Sequence, residues 1–383
     1  MRMLVLGAGL QGSACAYDLL QNPEVREVRL ADVRLDHVAP FLAPYSGSRL
    51  IPTPLDARDR EAVLAVMRQV DAVMSAAPYY LNGELARLAV EAGVHFTDLG
   101  GNTEIVLQQK QLDAQAKAKG CSVIPDTGLA PGMVNVLAQM GIDRLDTVDS
   151  VRIYVGGLPR HPEPPLGYQI VYSLEGVLDY YTTLSWVLRD GKQTQVKALS
   201  EIEAVEFPAP VGTLEAFHTA GGLSTMAQRY EGRIPIMEYK TLRYPGHAKI
   251  MEAIRDLGLL EIEPVDVDGI KVAPRDVAMR VMGPRLRKEN SPDLVALRVV
   301  VSGTKGGRPA SAGWQLVDHA DEQHGISAMM RTTGYTLSLT GQFQAQGLIA
   351  PGVHTPDEAM PGERYVAELR KRGVVIEEMA GSV

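Results

Sequence analysis

The chain has 383 residues, of which 45% are hydrophobic and 22% charged, and its formal net charge is −8. At about 100 to 200 residues per domain, this length predicts two or three domains. The acidic balance argues against a nucleic-acid-binding protein, which usually carries a basic face. We expect no membrane span, because no apolar run approaches about 18 residues. With two cysteines and no recognisable signal peptide, a cytoplasmic protein is expected.

The first motif in the chain is a glycine-rich turn after a short apolar strand, residues 3–6. Gly7, Gly9 and Gly12 form a GxGxxG pattern, and a helix is predicted over residues 13–20. Gly7 allows a tight turn, Gly9 lets the backbone approach a pyrophosphate, and Gly12 lets the helix pack closely on the strand. The phosphates of a dinucleotide would then meet the N-terminus of the helix.

An acidic residue follows at the distance that a dinucleotide-binding fold requires. Asp32 ends a second predicted strand, residues 28–31, at the position where a carboxylate accepts hydrogen bonds from both ribose hydroxyls. Its negative charge would repel a 2′-phosphate, so the sequence favours NAD. Arg34, two residues later, keeps NADP open as the less favoured cofactor.

Strands and helices alternate through the first third of the chain. Further short strands are predicted at 49–52, 71–75, 95–98 and 121–124. This alternation predicts a parallel Rossmann-type sheet, with ligands at the carboxyl ends of its strands. The cofactor-binding candidates at those ends are Gly7, Gly9, Leu10, Gln11, Gly12, Asp32, Val33, Asp56, Ala76, Ala77 and Pro78.

The pattern changes after about residue 145. Two hairpins are predicted, one turning at Asp190 and Gly191 and one at residues 303–308. They indicate an α+β domain with an antiparallel or mixed sheet. A long helix-compatible stretch from about residue 326 is expected to return to the first sheet, and the tail to finish there. We therefore predict a discontinuous dinucleotide-binding domain, residues 1–128 and 326–383, and a substrate-binding and dimerisation domain, residues 129–325.

Polar clusters in the second half supply candidates for substrate contacts. His218 lies among loop-forming residues, where it is equally well read as a general base or as a histidine without a catalytic role. Arg243 could clamp a carboxylate, although a solvated arginine at a strand end is favoured from these residues alone. Arg331 is best read as a charge on a helix surface. No HExxH, CxxC pair or cluster of aspartates supports a metal site.

Segments in order along nearly the whole chain resemble the saccharopine dehydrogenase-like family. They include VLGAGL at 5–10, TDLGG at 97–101, PDTGLAPGM at 125–133, YVGGLP at 154–159, EAFHT at 215–219 and YKTLRY at 239–244. The resemblance implies that Arg243 contacts a substrate carboxylate. Saccharopine-reducing members carry an acid where this chain has Ala130. That difference favours a smaller substrate with one carboxylate.

The resemblance extends to members that oxidise lysine, and it implies the following reaction. NAD takes a hydride from the ε-carbon of L-lysine, and the imine is hydrolysed to the 6-semialdehyde, which cyclises to piperideine-6-carboxylate. A base must deprotonate the ε-amine, whose reference pKa is about 10.4. The expected catalytic residues are His218 first, then Asp98 and Tyr79. The expected substrate contacts are Arg243, Lys240, Tyr244 and Glu163, with Asp98 or Glu163 receiving the α-ammonium group.

Two other functions remain open from the sequence. One is a related oxidoreductase acting on a C–N bond, such as a saccharopine or carboxynorspermidine dehydrogenase that uses NADP. The other is a non-catalytic NAD-binding sensor, since a fold does not determine a function. The expected partner is a small amino-acid substrate, without nucleic acid or membrane, and a two-fold homodimer is the default assembly.

Overall fold

The computed structural model describes residues 1–36, 38–288 and 291–382. Its first sheet has seven strands, all pairing in parallel, in the order β17-β6-β5-β4-β1-β2-β3. These strands are β1 (Arg2–Leu6), β2 (Glu27–Asp32), β3 (Leu50–Pro54), β4 (Ala72–Ser75), β5 (His95–Asp98), β6 (Ser122–Ile124) and β17 (Gly352–Val353). The predicted parallel Rossmann-type sheet is confirmed.

Helices cover both faces of this sheet. On one face lie α1 (Leu10–Gln21) and α11 (Ala328–Ala345), and on the other lie α2 (Arg60–Met67), α3 (Asn82–Ala92) and α5 (Asp113–Lys119), with α4 (Thr103–Lys110) against α3. Helix α6 (Met133–Arg144) packs instead on the second sheet, and α12 (Pro356–Ala359) and α13 (Gly362–Lys371) pack against α6. Short 3-10 helices lie at Pro40–Tyr45 and Tyr79–Leu81. Helix α11 brings the chain back from the second sheet to the first. Its Gly334 lies against α1, where a Cβ would come within 2.6 Å of the Ala14 side chain.

The second sheet has nine strands of mixed direction. Its main path runs β10-β11-β12-β7-β15-β16-β18, and β8 pairs with both β12 and β9. Only the pairing of β12 with β7 is parallel among the pairs of this sheet that the structure describes. The strands are β7 (Thr147–Pro159), β8 (Ser185–Arg189), β9 (Lys192–Val196), β10 (Glu203–Glu206), β11 (Thr213–His218), β12 (Ile236–Arg243), β15 (Asp293–Lys305), β16 (Arg308–His319) and β18 (Glu377–Glu378).

The remaining elements surround this sheet. They are α7 (Leu174–Thr182), α8 (Met226–Arg229), α9 (His247–Asp256), α10 (Pro274–Leu286) and a separate hairpin of β13 (Val265–Val267) and β14 (Ile270–Val272). The hairpin at Asp190 and Gly191 forms as predicted, because Asp190 and Gly191 both adopt positive φ, 48° and 73°. The second hairpin is tighter than predicted, with only Gly306 and Gly307 between its strands.

The tail differs from the prediction that it ends on the first sheet. Gly352 and Val353 do join β6, but Glu377 and Glu378 pair with β16 of the second sheet. The chain therefore passes between the two sheets three times, after β6, after β16 and after β17. Within the described residues, no helix is both long and apolar enough to cross a bilayer.

Candidate functional site

The glycine-rich turn between β1 and α1 is closely packed at two of its three glycines. Gly7 has φ +97°, and a Cβ there would lie 2.8 Å from the Ala76 carbonyl oxygen at the end of β4. A Cβ at Gly12 would lie 1.8 Å from the Gly7 carbonyl oxygen. Neither position tolerates a side chain, so both glycines are required by the packing of helix on strand.

Gly9, in contrast, faces open space. A Cβ at this position would meet no atom within 4 Å. Helix α1 starts at the next residue without a side-chain cap, so its first N–H groups remain available to an anion. The side-chain amide of Gln11 is buried and has no hydrogen-bond partner at either atom. These features fit the pyrophosphate of a dinucleotide cofactor.

Asp32 is held at the end of β2 by two backbone groups. Its Oδ2 accepts a hydrogen bond from the Ala8 N–H at 2.7 Å, and its Oδ1 accepts one from the Arg34 N–H at 3.0 Å. The carboxylate is thereby fixed next to the glycine turn, in the position that suits the ribose hydroxyls. The Arg34 side chain is 68% exposed and lies 3.6 Å from Asp36.

The other cofactor candidates surround this turn. Leu10 and Val33 are exposed. Ala76, Ala77 and Pro78 follow β4; the two alanines are partly buried and Pro78 is exposed. Asp56 lies beyond the end of β3, but its carboxylate already forms hydrogen bonds with the Arg58 guanidinium, which lower its pKa to about 2. The structure therefore gives Asp56 a partner within the protein.

A cleft of about 210 Å³ extends from the glycine turn to the second sheet. Its lining joins Gln11, the loops after β5 and β6, helix α7 and one face of β12. The lining residues are Gln11, Leu99, Gly100, Gly128, Leu129, Ala130, Pro131, Val155, Gly157, Tyr172, Tyr180, Ala220, Tyr239, Thr241, Arg243, Met329 and Thr333. A ligand here would lie between the dinucleotide turn and the second sheet.

Arg243 is the only cation among these lining residues. It is 4% exposed, and its guanidinium lies 4.8 Å above the Tyr168 ring. Among the described residues, no carboxylate lies within 4.0 Å of it, although its side chain bonds to the Leu242 carbonyl oxygen and the Tyr181 hydroxyl. A buried cation without an anionic partner calls for an anion from a ligand.

A chain of hydrogen bonds fixes the orientation of Arg243. Its Nε donates to the Tyr181 hydroxyl oxygen at 3.2 Å, and that hydroxyl lies 2.9 Å from His247 Nε2. His247 Nδ1 lies 3.0 Å from the Leu166 carbonyl oxygen. Burial, followed by the nearby Arg243 charge, lowers the pKa of His247 to about 3. The neutral ring donates to Leu166 and accepts the Tyr181 proton, which leaves the phenol oxygen to accept from Arg243.

Two buried carboxyl groups lie behind the opposite wall of the cleft. Asp98 Oδ1 accepts from the Gly100 N–H and Oδ2 from the Gln109 amide, both at 2.7 Å. Asp126 accepts from the Gly101 N–H at 3.2 Å and from the Ser224 hydroxyl. A Cβ at Gly100 would lie 1.6 Å from Asp126 Oδ1, so this carboxyl packs directly against the cleft wall.

Burial raises the pKa of both carboxyls in this acid pair, Asp98 and Asp126. It raises the pKa of Asp98 to about 6. It raises the pKa of Asp126 to about 7, with a further increase from the Asp98 charge. Each carboxyl disfavours ionisation of the other. The cleft thus has a fixed positive end at Arg243 and a titratable acidic wall at Gly100.

His218 and Lys240 lie outside the lining of the cleft. They are paired across β11 and β12, so their side chains point to the same face, whereas Tyr239, Thr241 and Arg243 alternate onto the cleft face. His218 is fully buried, with Nε2 3.1 Å from Glu201. Lys240 Nζ donates to Glu203 at 2.8 Å. The strand register thus places both residues away from the ligand space where the sequence led us to expect them.

The surroundings of His218 resemble a metal cluster in composition. Ligand atoms of Glu201, His218 and Glu238 lie within 4.8 Å of one another. However, the Arg189 guanidinium lies 2.8 Å from both carboxylates and 3.4 Å from His218 Nε2. Arg189 therefore already supplies the positive charge that balances this cluster.

The other sequence-predicted substrate residues are dispersed. Tyr79 is 41% exposed and contacts Tyr80 edge to face. Glu163 pairs with Lys288 at 2.7 Å beside a different cavity. Tyr244 is half-buried, and its hydroxyl donates to the Pro159 carbonyl oxygen. Of the predicted substrate and catalytic residues, only Arg243 lines the cleft; Asp98 supports its wall.

Replacing His218 with glutamine is expected to leave kcat/KM for an amine substrate within about threefold of wild type, less than about 0.7 kcal/mol. The melting temperature is expected to fall, since a buried polar contact is disturbed. Steady-state kinetics and thermal unfolding together check this, with the cleft-facing Thr241→Ala variant as a comparison. A large loss of kcat in the His218→Gln variant, without a fall in its melting temperature, would show that His218 acts as the catalytic base.

The sequence interpretation missed several cleft residues. Tyr172 and Tyr180 reach the cleft from the start of α7 and its last turns, Tyr239 and Thr241 from β12, and Thr333 from α11. The positions of Tyr239 and Thr241 could have been predicted, because every second residue of a strand lies on the same face and both residues alternate with Arg243. Asp126 carried another signal: it lies two residues after a predicted strand that ends at the ligand edge of the sheet.

Two protein-family models match nearly the whole chain. Residues 3–124 match the model of the saccharopine dehydrogenase NADP binding domain, and residues 128–374 match that of the saccharopine dehydrogenase C-terminal domain. The chain belongs to the saccharopine dehydrogenase family. The two models meet between residues 124 and 128, and the second continues to residue 374.

Individual members of the saccharopine dehydrogenase family are more distant. The chain is 26% identical over 303 residues to the saccharopine dehydrogenase (NADP(+), L-glutamate-forming) of Saccharomyces cerevisiae, covering 77% of this chain and 66% of that protein. It is 27% identical over 274 residues to the mitochondrial alpha-aminoadipic semialdehyde synthase of Mus musculus, covering 68% of this chain and 29% of that protein. It thus spans just under two thirds of the first relative and less than a third of the second.

The fold of the saccharopine dehydrogenase family extends over the whole chain. The structure of apo saccharopine dehydrogenase (L-Glu forming) from Saccharomyces cerevisiae superposes with a TM-score of 0.80 at 22% identity, covering 99% of both chains. This likeness confirms the α/β architecture, with a parallel dinucleotide-binding sheet and a mixed second sheet.

Proposed function

We propose that the protein is an NAD-dependent amino-acid dehydrogenase that oxidises the ε-amine of L-lysine, a lysine 6-dehydrogenase. The observation that carries this proposal is the buried, carboxylate-free guanidinium of Arg243 in a cleft that starts at Gln11 of the dinucleotide turn. A substrate carboxylate paired with Arg243 would extend its chain from the second sheet toward the cofactor.

The charges at the two ends of the cleft support a zwitterionic substrate. Arg243, oriented by Tyr181, would bind the α-carboxylate bidentately. The ionised acid pair behind Gly100 would attract an ammonium group across the backbone of the wall. Hydroxyl groups of Tyr180, Tyr239 and Thr241 line the space between and can orient an amine. The cleft volume, about 210 Å³, is below the about 300 Å³ at which sites for larger ligands begin.

The cofactor would occupy the turn that contains Gly9. Residues of α1 would hold its pyrophosphate, and Asp32 its ribose hydroxyls. When bound, NAD supplies the hydride acceptor for the amine-bearing carbon. The protein excludes water by enclosing the cleft between its two sheets, and it fixes the substrate at both ends. Our candidate for the group that takes the amine proton is the acid pair, which lies behind the cleft wall at Gly100.

A second candidate is a saccharopine or carboxynorspermidine dehydrogenase that acts on a C–N bond. It is favoured by the name of the Saccharomyces cerevisiae relative, saccharopine dehydrogenase (NADP(+), L-glutamate-forming). Against it stands the small cleft, in which Arg243 is the only lining cation, whereas saccharopine carries three carboxylates. Ala130, which lines the cleft, adds no charge for a second amino-acid moiety.

The test is nucleotide reduction over a panel of amines and amino acids. Purified protein is incubated with L-lysine, saccharopine, ornithine or polyamines, each with NAD and with NADP, and reduced cofactor is followed by absorbance. We expect the highest kcat/KM with L-lysine and NAD. Turnover with saccharopine and not with lysine would establish the second candidate. Tight nucleotide binding without turnover of any amine would indicate a non-catalytic sensor.

Replacing Asp32 with serine is expected to weaken the preference for NAD over NADP. Loss of hydrogen bonds to a charged acceptor should reduce kcat/KM with NAD by about 10- to 100-fold. Activity with NADP should be retained or increased, because the Asp32 charge would no longer repel the 2′-phosphate and the exposed Arg34 side chain is available to pair with it. Steady-state kinetics with both cofactors measures the ratio, with the remote cap variant Asp59→Asn as control. An unchanged ratio would contradict the assignment of Asp32.

A further inference from the structure

A groove of about 630 Å³ lies between three helices on the α1 side of the first sheet. Helix α11 contacts both α1 and α13, so it forms the floor of this helix groove, and α1 and α13 form its walls. The helix groove shares no lining residue with the cleft that holds Arg243. Its volume is within the range of small-molecule sites, about 300 to 1,000 Å³.

A buried carboxylate holds the three helices in place around the groove. Asp18 of α1 is 3% exposed and accepts hydrogen bonds from two side chains of α11, Ser338 at 2.7 Å and Gln342 at 3.2 Å. Arg372, at the end of α13, donates to the same carboxylate at 2.8 Å. The walls and floor of the helix groove are therefore fixed relative to one another.

Two opposite charges without ionic partners lie where the groove reaches the C-terminal part of α11. The Arg364 guanidinium lies 5.5 Å from the centre of the Phe343 ring, and no carboxylate among the described residues is within 4.0 Å of it. On the opposite wall, the Glu24 carboxylate lies 3.5 Å from the Gln346 amide and has no cation within 4.0 Å in the same described part of the chain. The head of an α-amino acid carries a carboxylate and an ammonium group, and would supply both missing partners.

Two tyrosine hydroxyls lie toward the other end of the groove. Tyr335 of α11 is only 4% exposed, and neither its hydroxyl nor that of Tyr17 has a hydrogen-bond partner among the described residues. Burial is the largest cause of the raised pKa of both phenols, and the charges of Asp18 and Asp321 raise it further. Neutral phenol oxygens, aromatic faces and nearby carboxylates together suit an ammonium group.

The charge and length of the groove restrict its ligand. Four acidic and four basic side chains line it, so its lining has no net charge and favours a ligand that carries both signs. Tyr335 and Phe343 are eight residues apart on α11, which is about 12 Å along the helix. A ligand that contacts both ends must therefore be elongated.

We propose that the helix groove is a second ligand site, which binds an α-amino acid with a long cationic side chain. The α-carboxylate pairs with Arg364 and the α-ammonium group with Glu24, while the side-chain ammonium group lies beside Tyr17 and Tyr335. The bound amino acid contacts α1 and α11, two helices that also border the cleft on their other sides. The proposal does not depend on which reaction the cleft catalyses.

Equilibrium dialysis with radiolabelled L-lysine tests the site. The protein carries Arg243→Gln, which removes the only cation that lines the cleft, and no nucleotide is added. One L-lysine per chain is expected to bind in this background. Adding either Glu24→Gln/Arg364→Gln or Tyr335→Phe is expected to raise the Kd about tenfold or more. L-Norleucine, which lacks the side-chain ammonium group, is expected to compete about tenfold less well than unlabelled L-lysine.

The matched control for the groove variants is Arg370→Gln, which removes a charge from the same helix, α13, outside the groove lining and should leave the Kd unchanged. Circular dichroism and thermal unfolding verify that all variants are folded. The proposal is overturned if the Arg243→Gln protein binds no L-lysine, if neither groove variant weakens binding, or if L-norleucine competes as well as L-lysine. Turnover of lysine by wild type is a separate measurement, so its failure would not alter this result.

Discussion

Replacing Arg243 with glutamine is expected to reduce kcat/KM for L-lysine by about 100-fold or more. The guanidinium is buried in the cleft and has no carboxylate partner within 4.0 Å among the described residues. A charge-assisted pair with the substrate carboxylate would be lost, and a 100-fold change corresponds to about 2.7 kcal/mol. The effect should appear mainly in KM, because the carboxylate is remote from the reacting carbon.

The decisive comparison uses pentane-1,5-diamine, which is lysine without its carboxylate. Wild type should oxidise it poorly, and the Arg243→Gln variant should oxidise it about as well as wild type does. The matched control is Arg298→Gln: Arg298 also lies over an aromatic ring, 4.5 Å from Phe207, but does not line the cleft. Equal losses with lysine and with the diamine would show that Arg243 supports the fold and does not bind the carboxylate.

The dinucleotide turn could be predicted from the sequence because its requirements are local. Gly7 and Gly12 must be glycine for contacts made within the strand–turn–helix unit and with the adjacent β4. Asp32 is bound to the same turn through the Ala8 N–H. Residue spacing along one βαβ unit sets these positions, so the pattern in the chain carries the geometry.

The substrate end could be predicted only in part, because it is assembled from distant segments. Arg243 was identified through a family motif, whereas the residue pattern alone favoured a solvated side chain. Its burial depends on Tyr168 and Tyr181, which lie more than 60 residues earlier and reach it only in the folded protein. The position of His218 could not be predicted for a similar reason, since the face it occupies depends on the register between β11 and β12.

The acid pair, Asp98 and Asp126, could also be predicted only in part. Asp98 ends β5 and Asp126 follows the neighbouring strand β6, so the common edge at which they lie could be predicted. The burial of the two carboxyls could not be predicted, because the side chains that donate hydrogen bonds to them, Gln109 and Ser224, come from elsewhere in the chain. Complete burial, and not the proximity of two acids alone, is the largest cause of the raised pKa of each group.

The affinity for lysine is expected to increase as pH rises through the range of these pKa values. Asp98 has a pKa of about 6 and Asp126 of about 7, so the wall behind Gly100 gains negative charge between about pH 5 and 8. That charge attracts the substrate ammonium. KM for lysine should therefore fall over this window, well below the reference pKa of the ε-amine, about 10.4. In the Asp126→Asn variant this fall should be reduced and KM at pH 8 about tenfold higher.

Protein stability should change in the opposite direction. The folded-state pKa of each carboxyl lies above its unfolded value of 3.8, so the folded protein retains protons that the unfolded chain has released. Their contribution is fully present below about pH 4 and is lost as pH rises through 6 to 7. Thermal unfolding of wild type should thus show a decline over this window that Asp126→Asn flattens. Asparagine also tolerates the positive φ of 61° at this position.

The control for both measurements is Asp293→Asn. Asp293 is another buried carboxyl whose pKa is raised by burial; it accepts from the Ala328 and Met329 N–H groups at the start of α11 and is not itself a lining residue of the cleft. Its replacement should alter the pH dependence of stability and leave KM for lysine unchanged at every pH. If Asp126→Asn behaves like Asp293→Asn, the acid pair is only a structural element of the cleft wall. If KM alone separates the two variants, the ionised pair acts on the bound ammonium through the wall at Gly100.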